Sequence, residues 1–347
     1  MPGIISLVLA CALSVTLLSQ ARAAEAPQQK LFIVFSYPAG QWSEGILTGL
    51  STRLARSGIR YTLKHDIYDS PRFSPATSTE AVAEAVRIVK AAAEYRPDFV
   101  ILCDDEGADA LAPGMKKLGI PLLFAGINKD EKDVAWLEKG INLTGVFERY
   151  PIEPSLKLLS NLSGGKVKTI SLLTSINPTS VIIEKQFSDY FRAHKTRVAL
   201  KKSHATNKWS DWQRAILDIN SEGEALWLLV PWNVEDAEGE RMDLRVMGKW
   251  MSANIRVPSI SIVDVNLQLG AMASISMTPE IMGEELGNII HLSVSEHRPL
   301  SNIPYRYPSK HEIIINKKQT DRLGVKVPIE LLEYAKIIKQ EGLDSDQ

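Results

Sequence analysis

Cysteine is nearly missing from this chain: two residues in 347, Cys11 and Cys103. Cys11 lies in an apolar N-terminal stretch, and Cys103 alone has no internal partner, so a disulfide framework is excluded as the source of stability. An excess of one charge is missing too. With 40 basic against 41 acidic residues, neither nucleic acid nor an anionic membrane surface is favoured as a partner. Past the N-terminus no apolar run reaches the ~18 residues that a membrane helix needs, so no membrane insertion of the mature chain is expected. There is no low-complexity segment and no short-period repeat. The six histidines (His65, His194, His204, His291, His297 and His311) show no HExxH or other metal-ligand spacing, so no metal is expected. There is no P-loop, no Gly-x-Ser-x-Gly elbow, and no Gly-x-Gly-x-x-Gly after the first strand. Cys103 ends a buried run beside two aspartates, whose charge raises a thiol pKa and opposes nucleophilic use. Together these gaps argue against an enzyme and against a bound cofactor.

What is present begins with a segment that is not part of the fold. Ile4 to Leu18 is almost wholly apolar, and Ala21-Arg22-Ala23 supplies small residues at the −3 and −1 positions of a cleavage site. Residues 1–23 are therefore expected to be a cleaved signal peptide, although Met1 to Ser6 carries no Lys or Arg. A lipoprotein reading of Cys11 is disfavoured because the apolar run continues past it. A periplasmic location follows.

The remainder alternates between two periodicities. Lys30 to Tyr37 (KLFIVFSY), Asp98 to Cys103 (DFVILC), Pro121 to Ala125 (PLLFA) and Ala225 to Val230 (ALWLLV) are continuous apolar runs of strand length, the mark of parallel strands buried on both faces. Between them Ile46, Leu47, Leu50 and Leu54 recur at helical spacing, as do apolar residues over Thr77 to Tyr95, Thr179 to His194 and Ser210 to Ser221. Asp130 to Gly140 reads as a short surface helix. A length of 347 residues exceeds what one core usually organises, so two α/β lobes with parallel sheets are expected. The stretch from Asn142 to Pro151 (NLTGVFERYP) reads as the passage between them: an extended segment leaves one sheet, and Pro151 and Pro154 bracket the next helix.

The order of several motifs resembles one family. Asn142-Leu-Thr-Gly-Val, Pro121 to Gly126, and the tail from Pro308 to Leu332 (PSKHEIIINKKQTDRLGVKVPIELL) are similar to the corresponding stretches of ABC-transporter substrate-binding proteins that include tryptophan and tyrosine binders. The resemblance covers about residues 30 to 340. It implies a type I periplasmic binding-protein fold: two doubly wound parallel-sheet lobes joined by a three-crossover hinge, with ligand in the cleft. On this basis 30–147 plus 264–299 form the N-terminal lobe, and 148–263 plus 300–339 the C-terminal lobe. The implied function is capture of a small molecule, an amino acid or an aromatic or related metabolite, for the membrane permease of an ABC importer. The alternative use of the same fold is to report the ligand to a membrane sensor.

Ligands of open parallel sheets bind beyond the carboxyl ends of the strands. That rule nominates Tyr37, Trp42, Asp104, Asp105 and Asn128 in the first lobe, and Asn177, Ser180, Trp232, Asn233 and Asp264 in the second. Each has a plainer reading. Trp42 can pack on its own lobe, Asp104 and Asp105 can cap a helix, and the Asn and Ser residues can be turn or cap residues. The acidic residue that closes the strand before the later crossing in the resembled family is replaced here by Val263, with Asp264 one position on. An α-amino acid is therefore less secure as ligand than a less charged or more aromatic one.

Overall fold

A computed structural model describes residues 28–72, 76–138, 142–308 and 310–339. The expected signal peptide and Cys11 lie outside them. Strands β1 (Gln29–Phe35), β2 (Tyr61–Ile67), β3 (Phe99–Cys103), β4 (Leu122–Ile127) and β5 (Leu143–Phe147) form a sheet ordered β2-β1-β3-β4-β5, with every pair parallel. Helices α1 (Gln41–Arg56), α2 (Thr79–Tyr95) and α3 (Asp105–Lys116) connect its strands. The apolar runs divide by alternation. Leu31, Ile33 and Phe35 enter one core, whereas Phe32 and Val34 enter the core on the opposite face. The inner strands of this sheet have no solvent face for polar residues to occupy, which is why they show no polar alternation; edge strand β2, with Thr62 and Lys64 exposed, does alternate.

The second sheet has seven strands: β6 (Thr169–Thr174), β7 (Ala199–Ala205), β8 (Ala225–Leu228), β9 (Ser259–Ser261), β10 (Ala273–Ser276), β11 (Glu312–Asn316) and β12 (Lys336–Ile338), in the order β12-β11-β10-β9-β8-β6-β7. Only the β10–β11 pair is antiparallel. Around it lie α4 (Ile152–Leu162), α5 (Pro178–Ala193), α6 (Trp209–Glu222), α7 (Leu244–Asn254) and the single turn α8 (Val265–Gln268). The two expected parallel-sheet lobes are thus present. Helix α9 (Pro279–Ser295) returns to the first lobe, and α10 (Lys317–Arg322) and α11 (Ile329–Leu332) complete the tail.

Three details differ from the sequence reading. First, β10 was expected in the N-terminal lobe but pairs with β9 and β11 in the second sheet. The connection from β9 holds only one helical turn, and sequential strands so closely joined pair with each other. The chain therefore changes lobe between Ser276 and Pro279 rather than at Asp264. Second, Leu300 and Ile303 pack into the first lobe's core, and Arg306 bridges β5, its amide donating to Gly145 O at 2.9 Å. The last crossing accordingly lies between Tyr307 and Glu312, not at 299/300. Third, the expected helix over Asp130 to Gly140 is a single 3-10 turn, Glu131–Asp133; residues 139–141 lie outside the described set.

The return of α9 depends on glycine. A Cβ on Gly49 would stand 2.0 Å from the Glu280 carbonyl oxygen, and one on Gly283 would stand 2.1 Å from that of Ile46. Helices α1 and α9 therefore meet backbone to backbone, fixing the chain on the first lobe directly after its second crossing.

Candidate functional site

In the strand order β2-β1-β3-β4-β5 the direction of winding reverses between β1 and β3, and the crevice beyond their carboxyl ends is where such sheets bind ligands. Ser36 ties the two ends together: its hydroxyl donates to Cys103 O at 2.7 Å and accepts from Gly107 N at 2.8 Å. This contact places Tyr37 and Trp42 from one side against Asp104 from the other. The Trp42 indole N–H donates to Asp104 Oδ1 at 3.0 Å. Asp104 is 8% exposed, and its Oδ2 is buried without a partner. Its backbone has φ 66°, a conformation costly for a residue with a side chain and concentrated at functional sites. Asp104 stands at the N-cap position of α3 but makes no side-chain cap bond, so capping does not explain it.

The adjacent aspartate does something else. Asp105 accepts from Asn128 N at 2.9 Å and from Lys129 N at 3.1 Å, using both oxygens to hold the loop after β4. The pair nominated together from sequence thus splits into one loop latch and one carboxyl group with a single unpartnered oxygen.

Two further acids complete the cluster. Glu106 Oε2 accepts from the Tyr37 hydroxyl at 3.0 Å. Glu148, just past β5, is buried; it accepts from Tyr150 Oη at 3.0 Å and from Asn128 Nδ2 at 3.3 Å. Burial raises the pKa of all four carboxyl groups. Asp104 is pushed well up, with Glu148 as the next cause after burial, and Glu148 is pushed up to about 7. Burial also raises the hydroxyls of Tyr37 and Tyr150, and the thiol of Cys103, which is an inert core group. Among the described residues no group of three or more His, Cys, Asp or Glu side chains is arranged to hold a metal ion.

The cluster faces the second lobe through α5. Tyr37 Oη lies 3.5 Å from Thr179 Oγ1, and Gln186 Nε2 donates to Asn128 O. Asn177 and Ser180 form the capping box of this helix: Asn177 Oδ1 accepts from Ser180 N at 2.8 Å, and Ser180 Oγ accepts from Asn177 N at 2.8 Å. Their side chains are occupied by the helix end. Trp232, 37% exposed, and Asn233 stand in the exposed turn after β8. Asp264, expected at a crossing, instead precedes α8 on the surface. It lines an open recess of about 470 Å³ with Gln41, Glu44, Glu280, Glu312 and Lys336, none of which belongs to the carboxylate cluster.

The structure therefore gathers Tyr37, Trp42, Asp104, Asp105 and Asn128, and leaves Trp232, Asn233 and Asp264 outside the gathered set. The sequence reading missed Glu106, Glu148, Tyr150 and Gln186. A signal for Glu148 existed: it follows the buried run LTGVF as Asp104 follows FVILC. The stretch after β5 was read only as a passage between lobes. Arg149 secures that passage, donating to the carbonyls of Ile127 at 3.2 Å, Asn128 at 3.1 Å, Glu148 at 2.6 Å and Lys129 at 2.9 Å, with its guanidinium 4.8 Å from the Phe147 ring centroid.

Comparison with known proteins agrees with this architecture. The ABC domain in complex with L-Trp from Streptococcus pneumonia superposes with TM-score 0.61 at 19% identity, over 89% of this chain and 100% of that one. A ligand-free, open substrate-binding protein with adhesive properties from Clostridium difficile gives TM-score 0.67 at 16% identity, over 90% and 100%. A periplasmic ribose ABC transporter protein from Conexibacter woesei gives 0.55 at 11%, over 89% and 99%. At these identities the likeness establishes the fold. No curated protein sequence matches significantly. The family profile described as ABC transporter substrate binding protein matches residues 45–339, most of the chain, and this protein belongs to that family of solute-binding, non-enzymatic proteins.

Proposed function

We propose that the chain works outside the cytoplasmic membrane, closing its lobes on a small amino-bearing or aromatic metabolite and presenting the closed form to the permease of an ABC importer. The observation that carries this reading is Asp104 Oδ2: a buried, unpaired acceptor at the switch point of the first sheet, beside Trp42 and within the contact between lobes. A buried polar atom without a partner costs about 1–3 kcal/mol, which a bound donor recovers. Closure needs a ligand that favours the closed form, because equal affinity for both forms shifts nothing. Family membership supports the permease as partner. No helix among the described residues is long and apolar enough to cross a membrane.

Thermal unfolding of the purified protein against amino acids, amines, aromatic acids, sugars, purines and short peptides tests this. A true ligand at about 100 times its Kd stabilises by about 2.7 kcal/mol. A shift confined to amino-bearing or aromatic compounds is expected. A shift with sugars alone would reject the ligand class, and none across the panel would reject solute capture.

A further inference from the structure

We propose that the interlobe site selects an organic cation lacking a carboxylate, a primary amine on a planar body, seated between Asp104 and Glu148 and flanked by Trp42 and Tyr37. This rests on the solute-binding reading above and narrows it. Two independent observations meet here. One is the acidic group of Asp104, Glu106 and Glu148 converging from two strand ends, those of β3 and β5. The other is the unpartnered Oδ2 of Asp104, on a side chain more than nine-tenths buried. Gly126 packs closely on this corner: a Cβ there would lie 3.1 Å from Asp104 Oδ1 and 3.6 Å from the Trp42 ring.

Among the described residues, the nearby cations Arg149 and Lys129 are already engaged and do not offer a charge to a carboxylate on the ligand. Arg149 spends its guanidinium on main-chain carbonyls, and the Lys129 ammonium is paired with Asp109. From the second lobe, α5 presents uncharged Thr179 and Gln186, and its N-terminus is closed by its own capping box. A zwitterionic amino acid would bring its carboxylate among four acids. A simple amine brings only the attractive charge.

Proton release follows. Glu148 is faced by Asp104 and Asp105 from the start of α3, by Tyr150 and Arg149 from its own segment, and by Asn128 from the β4 loop. Burial pushes the Glu148 carboxyl up to about 7. Entry of the ammonium ion favours the carboxylate, so below about pH 7 the O–H bond of the Glu148 acid breaks and its proton passes to solvent as the cation binds, leaving the carboxylate beside the ammonium. Affinity for an amine therefore falls as pH drops below about 7.

Titration calorimetry with matched probes decides the matter: tryptamine, L-tryptophan and indole-3-acetate, then tyramine with L-tyrosine, and ribose as a neutral control. The expected order is amine tightest, its amino acid at least about tenfold weaker, and the acid without measurable binding. Amine affinity should be about tenfold lower at about pH 6 than at about pH 8, with proton release visible as a dependence on buffer ionisation heat, and Glu148→Gln should flatten that profile. Asp104→Asn keeps an acceptor for Trp42 and should weaken amine binding by about 10- to 100-fold; Glu148→Gln provides the second test if that variant does not fold. An amino acid binding as tightly as its amine, or a pH-independent amine affinity, overturns the inference while leaving solute capture intact. Binding of ribose but no amine does the same. Failure of every compound in the broader panel instead removes the solute-binding reading itself.

Discussion

The two lobes meet the cleft with different chemistry. The first offers buried and half-buried side chains at the ends of β1, β3, β4 and β5: an indole, the Tyr37 hydroxyl, an amide and four carboxyl groups that burial holds toward the neutral form, with Tyr150, packed on the second lobe's core, donating to Glu148. The second offers the capped end of α5 and an exposed turn bearing Trp232 and Asn233. On the reading proposed above, the first lobe would recognise the ligand with side chains already ordered by their own hydrogen bonds, and the second would cover it and remove water. Electrostatic interactions strengthen when that water leaves, so recognition and closure are linked through the same acids.

Asp104→Asn breaks the contrast most strongly. It preserves shape, the Trp42 hydrogen bond and tolerance of a positive φ, and removes only the charge. Amine affinity should fall by about 10- to 100-fold, corresponding to the roughly 1.5–3 kcal/mol of a hydrogen bond to a charged group. The ligand-free protein should unfold no earlier, because burial penalises a charge that the native side chain can carry and asparagine cannot. Calorimetry with tryptamine and a thermal melt check both halves. A variant that melts much earlier would mean that Asp104 is structural.

Gly49→Ala tests the anchoring of the first lobe instead. The added methyl meets a main-chain carbonyl, not the yielding end of a side chain, so α1 and α9 must separate. A loss of about 1–3 kcal/mol in denaturant unfolding is expected. Asn177→Ala probes the second lobe, where removing the acceptor of the α5 capping box should cost about 1 kcal/mol, read in the same way.

Much of this was legible before the fold was known, and for a physical reason. Strands buried on both faces must be apolar throughout, so KLFIVFSY, DFVILC and ALWLLV declare a parallel sheet without help from tertiary context. Strand β10 could not be assigned its lobe in the same way. Its residues, Ala-Ser-Ile-Ser, pack as small groups, and its neighbours are fixed by the short connection from β9 and the arrival of β11. The rule of strand ends found Tyr37, Trp42, Asp104, Asp105 and Asn128. It could not tell Asp104 from Asp105, since that division appears only when the loop after β4 folds back to place two amides on one of them. Asn-Pro-Thr-Ser at 177–180 was legible as a helix start, and that role occupies the side chains of Asn177 and Ser180.

Trp232 gives the smallest expected effect and the sharpest limit on the contrast. It follows a fully buried strand, which made it a site candidate as Trp42 was, but the two indoles have different surroundings. Trp42 packs on the first lobe's core and bonds Asp104, whereas Trp232 is 37% exposed between Pro231 and Asn233. Replacing a residue so exposed changes stability by about 0.5 kcal/mol or less, and Trp232→Ala should weaken amine binding far less than Asp104→Asn does. Indole fluorescence offers a direct reading, since the variant retains Trp42 and any ligand-induced change that survives must arise elsewhere than at position 232. If Trp232→Ala abolished binding, the second lobe would supply an aromatic contact made only when ligand is present, and recognition would be shared between the lobes.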